Sequence, residues 1–369
     1  MAPAETVRSS APGVRRAYDQ PVSYASSREL RPGRIRFPDL SPRAYEHPAD
    51  RGALVALRAV PGFDGVIKLV LGAIGERSER LLYLATSVRV SARQYPELHG
   101  IVAECATALD LYPVPDLFVT MDPVPSAMAV GTDRPIIVTT TGMLQLVDTE
   151  GMRFVIGHEV GHVLSGHALY RTMLTQLIGI SGAVQWMPIG AWGLRAIVLA
   201  LNEWYRKSEL SADRAGLLCT QDPRTALRVH AAMAGALNPD DMDVAGFLDQ
   251  AKEYQASGDV RDSVLKLLQI SGQSHPMAAL RAAELQQWAA GPEYRAILAG
   301  DYARRSEDRN APVSEDVKAA AASYRKTFAS SADPLVSLVG TMGGLLGAAG
   351  GATATRLRDW WQNGGRPPS

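Results

Sequence analysis

The chain has no excess charge of either sign: 38 Lys and Arg balance 38 Asp and Glu over 369 residues. That absence excludes the strong positive field of a nucleic-acid binder, so nucleic acid is not an expected partner. Cysteine is nearly missing as well. Cys105 and Cys219 form no CxxC, which points to neither a disulfide framework nor a thiolate metal site, and two thiols in or near the core are expected. The opening "MAPAETVRSSAPGVRRAYDQ" lacks the apolar stretch of a secretory signal, so a cytoplasmic protein is expected. No fixed-period repeat is present. What the chain does have is 46% apolar residues, enough at this length for a sizeable core.

Residues 1–37 are rich in Pro, Ser, Gly and Arg without periodicity and read as a mobile N-terminal arm. Apolar residues then recur at helical spacing through "ALVALRAV", "VIKLVLGAIGERSERLLYLATSVRV" and "LHGIVAECATALDL", which predicts a helical lead-in over 38–112. The texture changes in "DLFVTMD", "SAMAVG" and "RPIIVTTTG", short β-branched or alternating runs bounded by Pro, Asp and Gly. These predict three strands of a small sheet. Helical pattern returns after Gly142 and persists to about Arg325, so the expected architecture is α+β and mostly helical. The expected divisions are a main domain over 38–292, with its chemistry in 113–292, a helical extension over 293–328, and a Gly-rich apolar tail over 329–369.

Histidine is scarce, with seven in the chain, yet three lie within "VIGHEVGHVLSGH". His158 and His162 are four apart, so a helix stacks them on one face with Glu159 beside them. Two neutral imidazoles at this spacing can share one zinc while the carboxylate stands over the metal-bound water. Asp148 or Thr149 can cap such a helix, and Glu150 suits its first turn. HExxH arises by chance in roughly one chain in a hundred of this length, so a second element is needed. "NEWYRKSELSADRAG" supplies it: Glu209 and Asp213 share a helical face, Glu209 as a third ligand and Asp213 as acceptor for the outer N–H of a ligand histidine. Taken alone those carboxylates read as a solvated face; beside HExxH they read as part of a site. His167 falls five residues past His162, about 140° off the ligand face, and is expected merely to share the helix.

With "PSAMAVGTDRPIIVTTTGMLQLVDTEGMRFVIGHEVGHVLSGH", "SELSADRAG" and "SHPMAALRAAEL", the sequence from Leu117 to Leu285 resembles the HtpX and CAAX prenyl protease family of gluzincin zinc metallopeptidases. The resemblance implies a zincin-like domain with one zinc per chain. His158, His162 and Glu209 would be its ligands, Glu159 the catalytic carboxylate and Asp213 a partner of a ligand histidine. It also places the His-Pro segment near the cleft, making His275 a candidate oxyanion donor and Arg281 an ion-pair partner. The family usually has Asn ahead of the Ala in the "AMA" strand, where this chain has Ser126. An extended polypeptide substrate is expected to add to the edge strand carrying Ser126, Ala127, Met128 and Ala129.

The expected function is therefore a zinc metalloendopeptidase in which Glu159 is general base toward a zinc-activated water, acting on misfolded or accessible polypeptides. The alternative is a zinc-stabilised scaffold or chaperone-like protein that binds polypeptides without cutting them. The intact Glu159 argues against that alternative, since a structural site needs no base. Leu177 to Leu201 is apolar but interrupted by Pro188, Gly190 and Arg195. One crossing there would put His162 and Glu209 on opposite sides of a bilayer, and two would need about 40 apolar residues, so a helical hairpin over the site is expected instead. The tail over 335–361 is the candidate for membrane contact: an uncharged run with Gly343, Gly347 and Gly351, then Arg356, Arg358, Trp360 and Trp361.

Overall fold

The structure is a computed structural model that describes residues 33–58, 76–183, 191–238, 242–256 and 277–308. His275, the tail over 335–361 and nearly all of the expected N-terminal arm lie outside the described residues. The elements described below belong to one compact unit, Arg34–Ser369.

The lead-in contains α1 (Pro48–Arg58), α2 (Glu76–Thr86), a two-residue strand β1 (Val88–Arg89) and α3 (Pro96–Ala108). Three strands follow, β2 (Leu117–Thr120), β3 (Ala127–Val130) and β4 (Ile136–Thr140), where alternating and β-branched runs predict them. Then come α4 (Thr141–Leu146), α5 (Thr149–Leu164), α6 (His167–Ala183), α7 (Ala191–Thr220) and α8 (Pro223–Ala234). The described chain closes with α9 (Val244–Ala256), α10 (Ala278–Ala290), α11 (Pro292–Leu298) and α12 (Arg305–Asp308). The architecture is α+β and mostly helical, as the sequence predicts.

The sheet has the order β1-β2-β4-β3, with β2 and β4 parallel and the outer pairs antiparallel. β1 corrects the sequence reading, which ran a helix through "SVRV": the helix stops at Thr86, and Val88 pairs with Val119. Two residues carry too little pattern to outweigh a preceding helical run, and the pairing is tertiary. Residues 34–37 correct a boundary. Arg34 pairs with Glu150, Phe37 is fully buried, and Phe37 N–H donates to Ala108 C=O at 2.8 Å, so these residues join the main body. Likewise α11, at the start of the expected extension, puts Tyr294 and Ile297 into the same core as β2 and α5.

α5 is the central helix. Asp148 is its N-cap, accepting from Gly151 N–H at 2.7 Å, and Glu150 lies in the first turn, where the helix dipole favours an anion. It packs on α7 through small residues: a Cβ on Gly161 would sit 2.4 Å from Ala215 Cβ, and one on Gly157 would sit 2.7 Å from Cys219 Cβ. Bare glycines let the two backbones approach, and that approach brings "HEVGH" to "SELSAD". Cys105 and Cys219 are both buried, and Cys219 Sγ lies 3.9 Å from Cys105 C=O. Among the described residues, no helix is long and apolar enough to cross a membrane.

Candidate metal centre

His158 and His162 project from α5 with 3% and 2% exposure, and their Nε2 atoms are 3.1 Å apart. Glu209 comes to them from α7, with Oε1 3.2 Å from His162 Nε2 and Oε2 3.5 Å from His158 Nε2. The outer ring nitrogens are both engaged. His158 Nδ1 lies 3.0 Å from Asp213 Oδ1, and His162 Nδ1 lies 3.0 Å from His167 Nδ1. Asp213 can only accept while ionised, so in the neutral form that binds a metal His158 carries its proton on Nδ1 and offers its lone pair at Nε2. With the matching tautomer in His162, two lone pairs and a carboxylate face one point. Three acceptors this close repel one another unless a cation lies among them, so the donor set fits a metal ion.

Buried carboxylates need a counter-charge, and Arg281 from α10 provides it. Its Nη2 and Nε grip Asp213 at 2.6 and 2.8 Å, and Nη1 stands 2.8 Å from Glu209 Oε2. Burial acts to raise both carboxyl pKa values, yet Arg281 holds Asp213 and Glu209 well below the usual carboxylate range. His230 of α8 completes the cluster, Nε2 3.2 Å from Asp213 Oδ2. His158 is opposed by burial but pushed up to about 9 by the charge of Glu209 and its bond to Asp213. His162 is driven down to about 3, mainly by burial.

Glu159 is wholly buried, and neither of its oxygens has a hydrogen-bond partner among the described residues. Burial raises its pKa, while the charges of His158 and Arg171 pull it back, as does the backbone N–H of Ala129, which comes near without meeting hydrogen-bond geometry. The nearness of Ala129 shows which way β3 faces. Among the described residues β3 is an edge strand paired with β4 alone, and Gly131 N–H donates to Thr172 of α6 at 2.9 Å. Residues of one parity point their N–H groups to one side of a strand, so Ala127 and Ala129 present theirs toward the metal-site helices. Ser126 does not belong to this edge. It precedes the strand, and its N–H and C=O are both bonded to Thr140, so it has no free backbone group for a substrate. A small pocket adjoins His158 and Glu159 and is walled by Met143, Phe154, Val155, Val229 and Met233.

The structure corrects the reading of His167. Gly166 takes a left-handed conformation, φ +71°, which ends α5 and starts α6 at His167, so the side chain swings back beside His162. A straight-helix projection fails at such a break. Sequence reasoning also missed Asp50, His230, Tyr205 and Arg171. The Tyr205 ring stacks on His162 with centroids 6.1 Å apart, and the Arg171 guanidinium lies 5.0 Å over Tyr205. Tyr205 was within reach of helical spacing, four residues before Glu209. Asp50 had no local signal.

The model of peptidase family M48 matches residues 92–289. The plastoglobule-localized metallopeptidase 48, chloroplastic, of Arabidopsis thaliana is 34% identical over 269 residues, covering 72% of this chain and 77% of the relative. Protease HtpX homolog 1 of Streptomyces coelicolor is 28% identical over 208 residues, covering 49% of this chain and 65% of the relative. A protease HtpX homolog of Tropheryma whipplei is 27% identical over 189 residues, 44% of this chain and 65% of the relative. Against both HtpX homologs the chain therefore spans less than two thirds of the relative's length. No solved structure matches. A buried His-His-Glu cluster with an adjacent carboxylate, within a segment the family model matches, identifies this chain as a metalloprotease belonging to peptidase family M48.

Proposed function

We propose that the chain is a zinc endopeptidase in which His158, His162 and Glu209 hold one zinc ion and Glu159 is the general base. The donor atoms lie 3.1, 3.2 and 3.5 Å apart. Two ligands of a tetrahedral zinc with bonds of about 2.0–2.1 Å are separated by about 3.3 Å, so the cluster is already the right size. When bound, zinc supplies a Lewis acid that acidifies water and polarises the peptide carbonyl.

The observation that carries the reading is Glu159, a buried carboxylate beside the three donors with no hydrogen-bond partner among the described residues. A buried polar group left unpaired is costly to stability, and such groups persist where chemistry uses them. In this reading Glu159 takes the proton of the attacking water and passes it to the departing amine. Ala127 and Ala129 of β3 offer backbone bonds to an extended chain, and backbone recognition tolerates many sequences. Misfolded polypeptides, which expose extended backbone and apolar residues, are the substrate class we favour.

The test compares wild type with Glu159→Gln for zinc content and for cleavage of casein. About one zinc per chain in both, with cutting by wild type alone, is the expected result. Zinc in neither would remove the ligand set. Zinc in both with no cutting of any unfolded protein would favour a zinc-stabilised polypeptide-binding scaffold.

A further inference from the structure

We infer that His167 and Asp50 are positioning residues for the metal centre, so that helix α1, which precedes the family-matched segment 92–289, is a working part of it. This rests on the ligand assignment proposed above. The contacts form one line. His162 Nδ1 lies 3.0 Å from His167 Nδ1, and His167 Nε2 lies 3.2 Å from Asp50 Oδ2. Only one arrangement of protons lets the first ring offer a lone pair at Nε2: His162 Nδ1–H donates to His167, and His167 Nε2–H donates to Asp50. Asp50 thus does for His162, through one intervening ring, what Asp213 does directly for His158.

The same carboxylate is tied to the other ligand helix. Ser211, two residues past Glu209, donates its hydroxyl to Asp50 Oδ2 at 2.6 Å and accepts from His47 N–H at 2.9 Å. Asp50 and His167 are 2% and 3% exposed, and the edge of Trp204 walls His167 in at 5.3 Å between centroids. A residue serving only to fill space there would more simply be apolar, because an ionised carboxylate in this environment has a large desolvation cost. Orienting a ligand ring is a use that needs the charge and the two directed bonds.

Zinc affinity of the full chain, measured by competition with a chromophoric chelator, tests this without reference to activity. Asp50→Asn should weaken affinity about 10-fold and His167→Leu about 10- to 100-fold, the range seen when the outer partner of a ligand histidine is lost. The double variant should be little worse than His167→Leu alone, because both break one line. His167→Gln keeps an acceptor for His162 Nδ1–H and should retain more affinity than His167→Leu. Tyr45→Phe is the structural control. It removes another contact of the lead-in with α5 and the following turn, the Tyr45 hydroxyl to Ser165 Oγ at 2.9 Å, and should leave zinc affinity unchanged. If Asp50→Asn does not fold, the Gln and Leu variants of His167 decide the matter. Affinity within twofold of wild type in both Asp50→Asn and His167→Leu, or an equal loss in Tyr45→Phe, overturns the inference. A wild-type chain that takes up no zinc overturns the ligand assignment and this inference together, whereas zinc uptake indifferent to these variants overturns this inference alone.

Discussion

Arg281 holds two buried carboxylates at once, and the charge balance of the site turns on that single side chain. Replacing it by Met would preserve most of its volume while leaving Glu209 and Asp213 on one face of α7 with histidine partners in place of a guanidinium. Breaking a buried pair by deleting one partner typically costs about 3–5 kcal/mol. Arg281→Met should lower the stability of the metal-free protein by that order, read from its denaturant midpoint in the presence of a chelator. A midpoint equal to that of wild type would mean that water already screens the cluster. The sequence marks Arg281 only as an ion-pair candidate, because nothing local says which acids lie 68 and 72 residues upstream. HExxH and ExxxD are legible because each is a local rule of helical spacing. The line from His162 to Asp50 is not, since it crosses a glycine break and more than a hundred residues of chain.

At the scale of elements, the seam between α5 and α7 sets the distance between "HEVGH" and Glu209. Gly161→Ala tests it. Alanine is the better helix former by about 1 kcal/mol, so an open helix surface would gain from the change. Here the new Cβ meets Ala215 Cβ at 2.4 Å, and two methyl-bearing helices cannot pack that closely. Overpacking of this kind costs about 1–3 kcal/mol, so destabilisation should win, and parting the helices should also draw Glu209 away from His162. The variant should therefore bind zinc more weakly in addition to unfolding at lower denaturant; unchanged zinc affinity would mean the seam relaxes elsewhere. The glycines that permit this approach were visible in the sequence, but their meaning was not, since a helical glycine signals nothing until its neighbour is known. The three longer strands were legible from their β-branched runs. β1 was not, because two residues show no alternation and its partner β2 comes 28 residues later.

Over the whole molecule, the centre draws on distant parts of the chain: Asp50 from α1, His158 and His162 from α5, Glu209 and Asp213 from α7, Arg281 from α10. The sequence located the middle of that set and drew boundaries around it, yet the described residues on both flanks, Phe37 and Tyr294 among them, pack into the same core. A site built this way exists only in the folded state, because the unfolded chain spreads the three donors over about fifty residues and the groups that orient them, Asp50 to Arg281, over more than two hundred. Metal binding must then stabilise the whole fold rather than one loop. Linkage sets the size: free zinc at 100 times its Kd adds about 2.7 kcal/mol. For a domain of about 150–250 residues each kcal/mol moves Tm by about 2–4 °C, so zinc over chelator should raise Tm by about 5–10 °C in a single transition. Calorimetry with and without zinc measures this. A rise confined to a separate minor transition would show that the metal orders only a subdomain, and no rise at all would mean that the donors do not bind zinc under those conditions. A single shifted transition is expected because α5 and α7, which carry His158, His162 and Glu209, are also core helices, so the site cannot come apart while the core stays closed.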